Sequence, residues 1–170
     1  MSAREPVTAQ LYVPEDTRPE TSWAELVRRL AASRTFWLST ARNGRPHVMP
    51  LLAVSVDRAI YFCAGPATRK ARNLARESRC VLTTAADGVD IVVEGKAVRV
   101  IDGPTLERVA GEYRSKYGWD PEPRDGEFHG EGAPTAGPPP LHLYELVPET
   151  VFGFGTDESL NATRWIFDRQ

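Results

Sequence analysis

Lysine is almost missing from this chain: Lys70, Lys96 and Lys116 stand against 18 arginines in 170 residues. The basic residues are interspersed with acids and the net charge is only −2, so no basic stripe is present for a nucleic-acid backbone to follow. Cysteine and histidine are scarce too. Cys63 and Cys80 fall in apolar runs, form no metal-ligand spacing and read as reduced core residues, while His47, His129 and His142 are dispersed. Apolar runs of bilayer length are absent, and so are the basic start and apolar stretch of a secretory signal. These absences argue against a metal site, a nucleic-acid binder and a membrane protein, and they give the expectation of a cytoplasmic location. What remains, 41% apolar residues in a chain of this length, suits one globular domain with a sizeable core.

Taken in order, residues 1–20 carry Pro6, Pro14 and Pro19 among charges and read as an irregular arm, with at most a short extended piece at 11–13. Ser22-Trp23-Ala24-Glu25 then matches a capping box, and Trp23, Leu26, Val27, Leu30 and Ala31 recur at helical spacing. From residue 35 the period changes to two. Runs at 35–41 and 47–56 flank Asn43-Gly44, the strongest short hairpin signal, and a third strand is expected at 59–64 after Asp57-Arg58. A helix from Thr68 to near Glu77 precedes another hairpin, 79–85 and 90–101, across Asp87-Gly88. Pro104 opens a helix whose Leu106, Val109, Ala110, Tyr113 and Tyr117 share a face, with Gly118 as its stop.

Residues 120–140 hold so many prolines and glycines that no regular structure is expected there. This stretch reads as a mobile loop, with a substrate lid using Phe128 or His129 as the second reading. A sixth strand at 141–146, extended by 150–154, leads to a C-terminal arm, 156–170, whose Trp165-Ile166-Phe167 must cover something apolar. Residues 21–170 therefore form a single domain. Its order, helix, three strands, helix, two strands, helix, strand, argues a mainly β, α+β architecture: a closed or nearly closed six-stranded antiparallel barrel with flanking helices.

The segment that joins the third strand to its helix, Ala67-Thr68-Arg69-Lys70-Ala71-Arg72-Asn73-Leu74, is the chain's best candidate site. Thr68 is an N-cap in kind, which leaves the next backbone N–H groups unpaired at the positive end of the helix dipole, and Arg69 and Lys70 add two full charges. A phosphate fits that arrangement. A solvated basic helix start fits it equally well on composition alone. No Ser/His/Asp arrangement, metal cluster or carboxylate pair accompanies it.

The stretch Ile60-Tyr61-Phe62-Cys63-Ala64-Gly65-Pro66-Ala67-Thr68-Arg69-Lys70-Ala71-Arg72, followed by Cys80-Val81-Leu82-Thr83, resembles the flavin and deazaflavin split-barrel proteins that include pyridoxamine 5′-phosphate oxidase. Asn43-Gly44-Arg45-Pro46-His47-Val48-Met49-Pro50-Leu51 is similar to the family's first hairpin, and the resemblance runs from about Phe36 to Val100. It implies an FMN-binding split barrel in which Thr68, Arg69 and Lys70 hold a cofactor phosphate with Asn73 nearby. Val48, Met49, Pro50 and Leu51 would face the ring through their backbone, Cys63 and Ala64 would lie beneath the ribityl chain, and Trp165 would close over a ring by stacking. It also implies a homodimer with the cofactor, FMN or F420, at the interface. Residues 162–170 lack the oxidase's C-terminal Arg- and His-bearing substrate motif, and strand 47–56 is apolar where the oxidase carries a basic contact, which points away from vitamin B6 chemistry. The resulting expectation is an FMN- or F420-dependent oxidoreductase acting on a small unsaturated or quinone-like molecule. Arg42, Arg45, Arg72 and Arg76 would receive a polyglutamate tail or form a solvated surface. The alternative is a non-catalytic binder of flavin, F420 or haem, with His47 the histidine placed near the groove.

Overall fold

The computed structural model describes residues 4–131, 135–156 and 160–168. Its elements are β1 (Thr8–Leu11), α1 (Trp23–Ala32), β2 (Phe36–Arg42), β3 (Arg45–Leu51), β4 (Ala53–Val56), β5 (Ala59–Ala64) and α2 (Arg69–Leu74). There follow β6 (Arg79–Ala86), β7 (Val89–Val100), α3 (Gly103–Tyr117), β8 (Glu122–Arg124), β9 (Glu127–His129), β10 (His142–Gly155) and β11 (Ala162–Ile166).

Local chemistry sets the corners. Asn43-Gly44, Asp57-Arg58, Asp87-Gly88 and Asp125-Gly126 all have positive φ at both positions, the backbone of the two-residue turns whose twist matches antiparallel strands. Ser22 caps α1 by accepting from the Glu25 N–H at 3.2 Å, and Asp102 caps α3 by accepting from the Thr105 N–H at 2.9 Å.

The main sheet runs β1-β11-β10-β7-β6-β2-β3, with β5 paired to β10 and β4 to β5. Because β10 bulges between Pro148 and Thr150, its first half pairs β5 and its second half pairs β11, while β7 follows it throughout. The run expected at 47–56 is two strands: β3 pairs β2, β4 pairs β5, and Leu52 joins them. Among the described residues seven strands, β4-β5-β10-β7-β6-β2-β3, thus surround one core, but the last step around the ring is made by the chain at Leu52 rather than by a hydrogen-bonded ladder. This is a split barrel of antiparallel strands with flanking helices.

Phe36, Leu38, Phe62, Leu82, Ile91, Val93 and Leu146 point into the barrel, and α1 plugs one end with Leu26 and Leu30. A second core lies outside the wall. There Leu106, Val109, Ala110 and Tyr113 of α3 meet Val54 of β4, Tyr61 and Cys63 of β5, and Leu143 of β10. Strand β5 is buried on both faces, which accounts for its unbroken apolar run.

Four expectations need correction. The N-terminal strand lies at Thr8–Leu11, not 11–13, and pairs β11. Helix α2 ends at Leu74, short of Glu77. Residues 122–129, expected to be irregular, form the β8–β9 hairpin, because the Asp125-Gly126 turn tolerates the loop-like composition and Phe128 gains a full burial against Tyr113 and Trp119. Phe128 is consequently a core residue and not a lid. The C-terminal arm carries a strand, β11, on the sheet edge. Among the described residues no helix is long and apolar enough to cross a membrane.

Candidate functional site

Strand β5 delivers the chain into a turn that Thr68 closes: its N–H and its hydroxyl both donate to the Gly65 carbonyl, at 3.0 and 2.8 Å. The same hydroxyl oxygen accepts from the Ala71 N–H at 3.3 Å, so Thr68 is the N-cap of α2, with the extended backbone a cap requires. The N–H groups at the helix start then have no intrahelical acceptor. Arg69 projects into solvent. Lys70 does the opposite. It is 2% exposed, and its ammonium donates to the Thr135 carbonyl; burial lowers its pKa below the usual lysine value, with Cys63 opposing the shift.

His47 belongs to the same corner. On β3 it stands in register with Thr40 of β2, whose hydroxyl is bonded by the Asn73 side-chain amide of α2 at 3.0 Å. Burial lowers the His47 pKa, and the Arg69 and Lys70 cations lower it further. Neither Arg69 nor Lys70 has a carboxylate partner among the described residues. A lysine ammonium has three donors, and Lys70 uses one of them on a neutral carbonyl. Taking a cation out of water without a counter-charge is costly, and no described carboxylate offsets the positive charge of this corner. Asn73, 1% exposed, also keeps its side-chain carbonyl oxygen without a hydrogen-bond partner.

The other expected residues divide by strand parity. Val48 and Pro50 lie in register with Ser39 and Trp37, on the outer face of the sheet. Met49 and Leu51 pair Leu38 and Phe36 and face the barrel, Leu51 within the core. Among the described residues strand β3 pairs with β2 alone, which leaves its other edge without a described strand partner. Cys63 and Ala64 point to opposite faces of β5: Cys63 into the α3 core, where burial pushes its thiol up to about 12, and Ala64 into the barrel. Both side chains are enclosed by this chain. Trp165 is 1% exposed and packs in the barrel core 5.9 Å from Trp23, centroid to centroid. Its burial comes from Trp23, Leu26 and Gly153 rather than from an open groove.

Two features had no sequence signal, since both depend on contacts far apart in the chain. One is a side-chain network near the end of β5. Glu127 accepts from Arg99 at 3.2 Å and pairs His142 at 3.1 Å, and the Tyr144 hydroxyl lies 3.5 Å from the other His142 ring nitrogen. The other is the lie of residues 135–138 across Gly65, Thr68 and Lys70. Among the described residues no group of three or more His, Cys, Asp or Glu side chains could hold a metal ion.

On the outer sheet face a groove of about 330 Å³ runs over β2, β6 and β7, past Ser39, Ala41, Val81 and Glu94. Trp37 and Val48, 47% and 50% exposed, lie on the same outer face, on β2 and β3. Among the described residues no helix lines this groove.

A family model described as pyridoxamine 5′-phosphate oxidase matches residues 22–154. Solved structures share the fold at low identity. A conserved hypothetical protein from Mycobacterium tuberculosis is 19% identical over 84% of this chain and 89% of its own, with a TM-score of 0.65. An FAD-binding protein from Mesorhizobium loti is 21% identical over 85% and 95%, TM-score 0.54. A heme binding protein from Mycobacterium smegmatis is 18% identical over 81% of this chain and 55% of its own, TM-score 0.58. No curated protein sequence matches.

Proposed function

This chain belongs to the pyridoxamine 5′-phosphate oxidase family, and from that premise we propose that it binds a phosphate-bearing flavin or deazaflavin, FMN or F420, at the β3–α2 corner. The observation that carries the reading is the convergence of Arg69, Lys70 and His47 with no described carboxylate to neutralise them. Thr68, Arg69 and Lys70 would hold the phosphate, and the free edge of β3, from Val48 to Leu51, would offer backbone groups to the ring system. The exposed Arg42, Arg45, Arg72 and Arg76 favour a long anionic tail such as that of F420.

The uncovered outer face carrying Trp37 and Val48 is the surface on which a second copy of the chain would pack, with the cofactor between the two. When bound, the cofactor supplies hydride transfer to or from a small unsaturated or quinone-like molecule. The protein's share is to anchor the phosphate, orient the ring and exclude water. This reading assigns no described side chain as the acid or base at that edge, and proton supply by water is equally compatible with it.

A non-catalytic binder is the second reading, supported by the shared fold of the mycobacterial heme binding protein and by the part-exposed His47 at the same corner. Titration with FMN, F420 and haem, followed by mixing of the reduced complex with quinone acceptors, separates the two. Oxidation of bound reduced FMN or F420 by an acceptor supports the oxidoreductase. Tight binding without oxidation by any acceptor supports the binder, and failure of all three ligands to bind removes both readings.

A further inference from the structure

Residues 135–138 lie on the proposed phosphate corner as a strap. The Thr135 carbonyl accepts from the Lys70 ammonium, and the Ala136 carbonyl accepts from the Gly65 N–H at 2.6 Å. The fit leaves no room for side chains. A Cβ added at Gly65 would lie 2.8 Å from the Pro138 carbonyl oxygen, and one added at Gly137, whose φ is +85°, would lie 2.6 Å from the Thr68 methyl group. Lys70 is 2% exposed beneath this strap.

A phosphate that bonds to Lys70 must therefore reach an ammonium whose one described partner is the strap's own backbone. Resting on the cofactor reading above, we propose that the 135–138 strap and the cofactor phosphate compete for the Lys70 ammonium, so that the strap is clamped in the free protein and released by phosphate. A bond from an ammonium to a phosphate oxygen is charged on both sides and is roughly twice as strong as one to a neutral partner, which sets the direction of exchange. Once Lys70 turns away, the Gly65 N–H on the Ala136 carbonyl is the strap's remaining described hydrogen bond, and Pro138, Pro139 and Pro140 have no N–H with which to add another. Beyond them Phe128 and Leu141 bond each other in both directions, at 2.9 and 2.7 Å, and hold the rest of the segment in place. The coupling is reciprocal: whatever loosens the strap also favours phosphate entry.

Hydrogen exchange at single amides tests this on the full chain. Without cofactor, Lys70→Met is expected to raise exchange at Gly65, whose N–H bonds the Ala136 carbonyl of the strap, at least tenfold, while Phe128 and Leu141 stay protected. In the wild type, FMN or F420, whichever binds, is expected to raise exchange at the Gly65 amide, the reporter of the strap, and the matching ring-ribityl compound without phosphate is not. Unchanged strap exchange in a folded Lys70→Met protein overturns the tether whatever the cofactor. If that variant loses protection at Leu141 as well, the wild type with cofactor decides. Bound cofactor with unchanged or slower strap exchange overturns the competition and leaves the cofactor reading standing. Binding of neither FMN nor F420 removes that reading and the competition together.

Discussion

Arg69 and Lys70 are neighbours in sequence but not in environment: the arginine is exposed, while the lysine is enclosed under residues 135–138. Helical geometry turns adjacent side chains about 100° apart, which sends one to solvent and the other against the Gly65 turn. The charges are still close enough to act together on His47. Trp165 shows the opposite case, a residue with two readings that burial separates. As a core residue its replacement by alanine should cost about 3–5 kcal/mol of stability, measured by urea unfolding. A ring-stacking role would instead give a small stability loss with a large drop in cofactor affinity, and that pattern would contradict the packing described here.

Strands β2, β5, β6, β7 and β10 and the first and third helices were legible in the sequence because their signals are local: the Ser22 cap, the Asn43-Gly44 and Asp87-Gly88 turns and the alternation in β6 and β7 need no tertiary knowledge. The β8–β9 hairpin was hidden because composition announces turns without saying what packs against them, and only the α3 core makes Phe128 a buried residue. The break at Leu52 was hidden too, since a strand that changes partners keeps its apolar pattern. Thr68, Arg69 and Lys70 were legible as a cap followed by two cations; the burial of Lys70 was not, because Thr135 comes 65 residues later.

His142 of β10, paired with Glu127 of the β8–β9 hairpin, carries a pH prediction. Burial lowers the His142 pKa below the usual histidine value and Arg99 lowers it further, outweighing the opposing Glu127. The unfolded chain therefore binds the proton more readily than the folded one. The stability contribution is full above about pH 6.5 and is lost as pH falls through the folded-state pKa. His47, also lowered, adds to it. Urea midpoints should fall between about pH 6.5 and 5, and His142→Gln should flatten the slope. A midpoint that rises on acidification would contradict the sign.

At the scale of the whole molecule, the barrel spends its two faces differently. Inside lies the main core, the α3 side of the wall is covered, and the face built from β2, β3, β6 and β7 is open, with Trp37, Val48 and the adjoining groove. An uncovered sheet face with exposed aromatic and branched side chains favours association with a second copy. Trp37→Glu should accordingly give a monomer in light scattering and weaken cofactor binding in parallel. A wild-type monomer that binds cofactor at full affinity would remove the interface from the reading.

The central claim is that the β3–α2 corner holds a cofactor phosphate, and fluorescence titration of FMN and F420 into the wild type and the Arg69→Ala/Lys70→Ala double variant tests it most directly. Two charge-assisted hydrogen bonds at roughly 1.5–3 kcal/mol each are lost together, so the preferred cofactor should bind at least about 100-fold more weakly to a variant that remains folded. Equal affinity for the two proteins would contradict the claim.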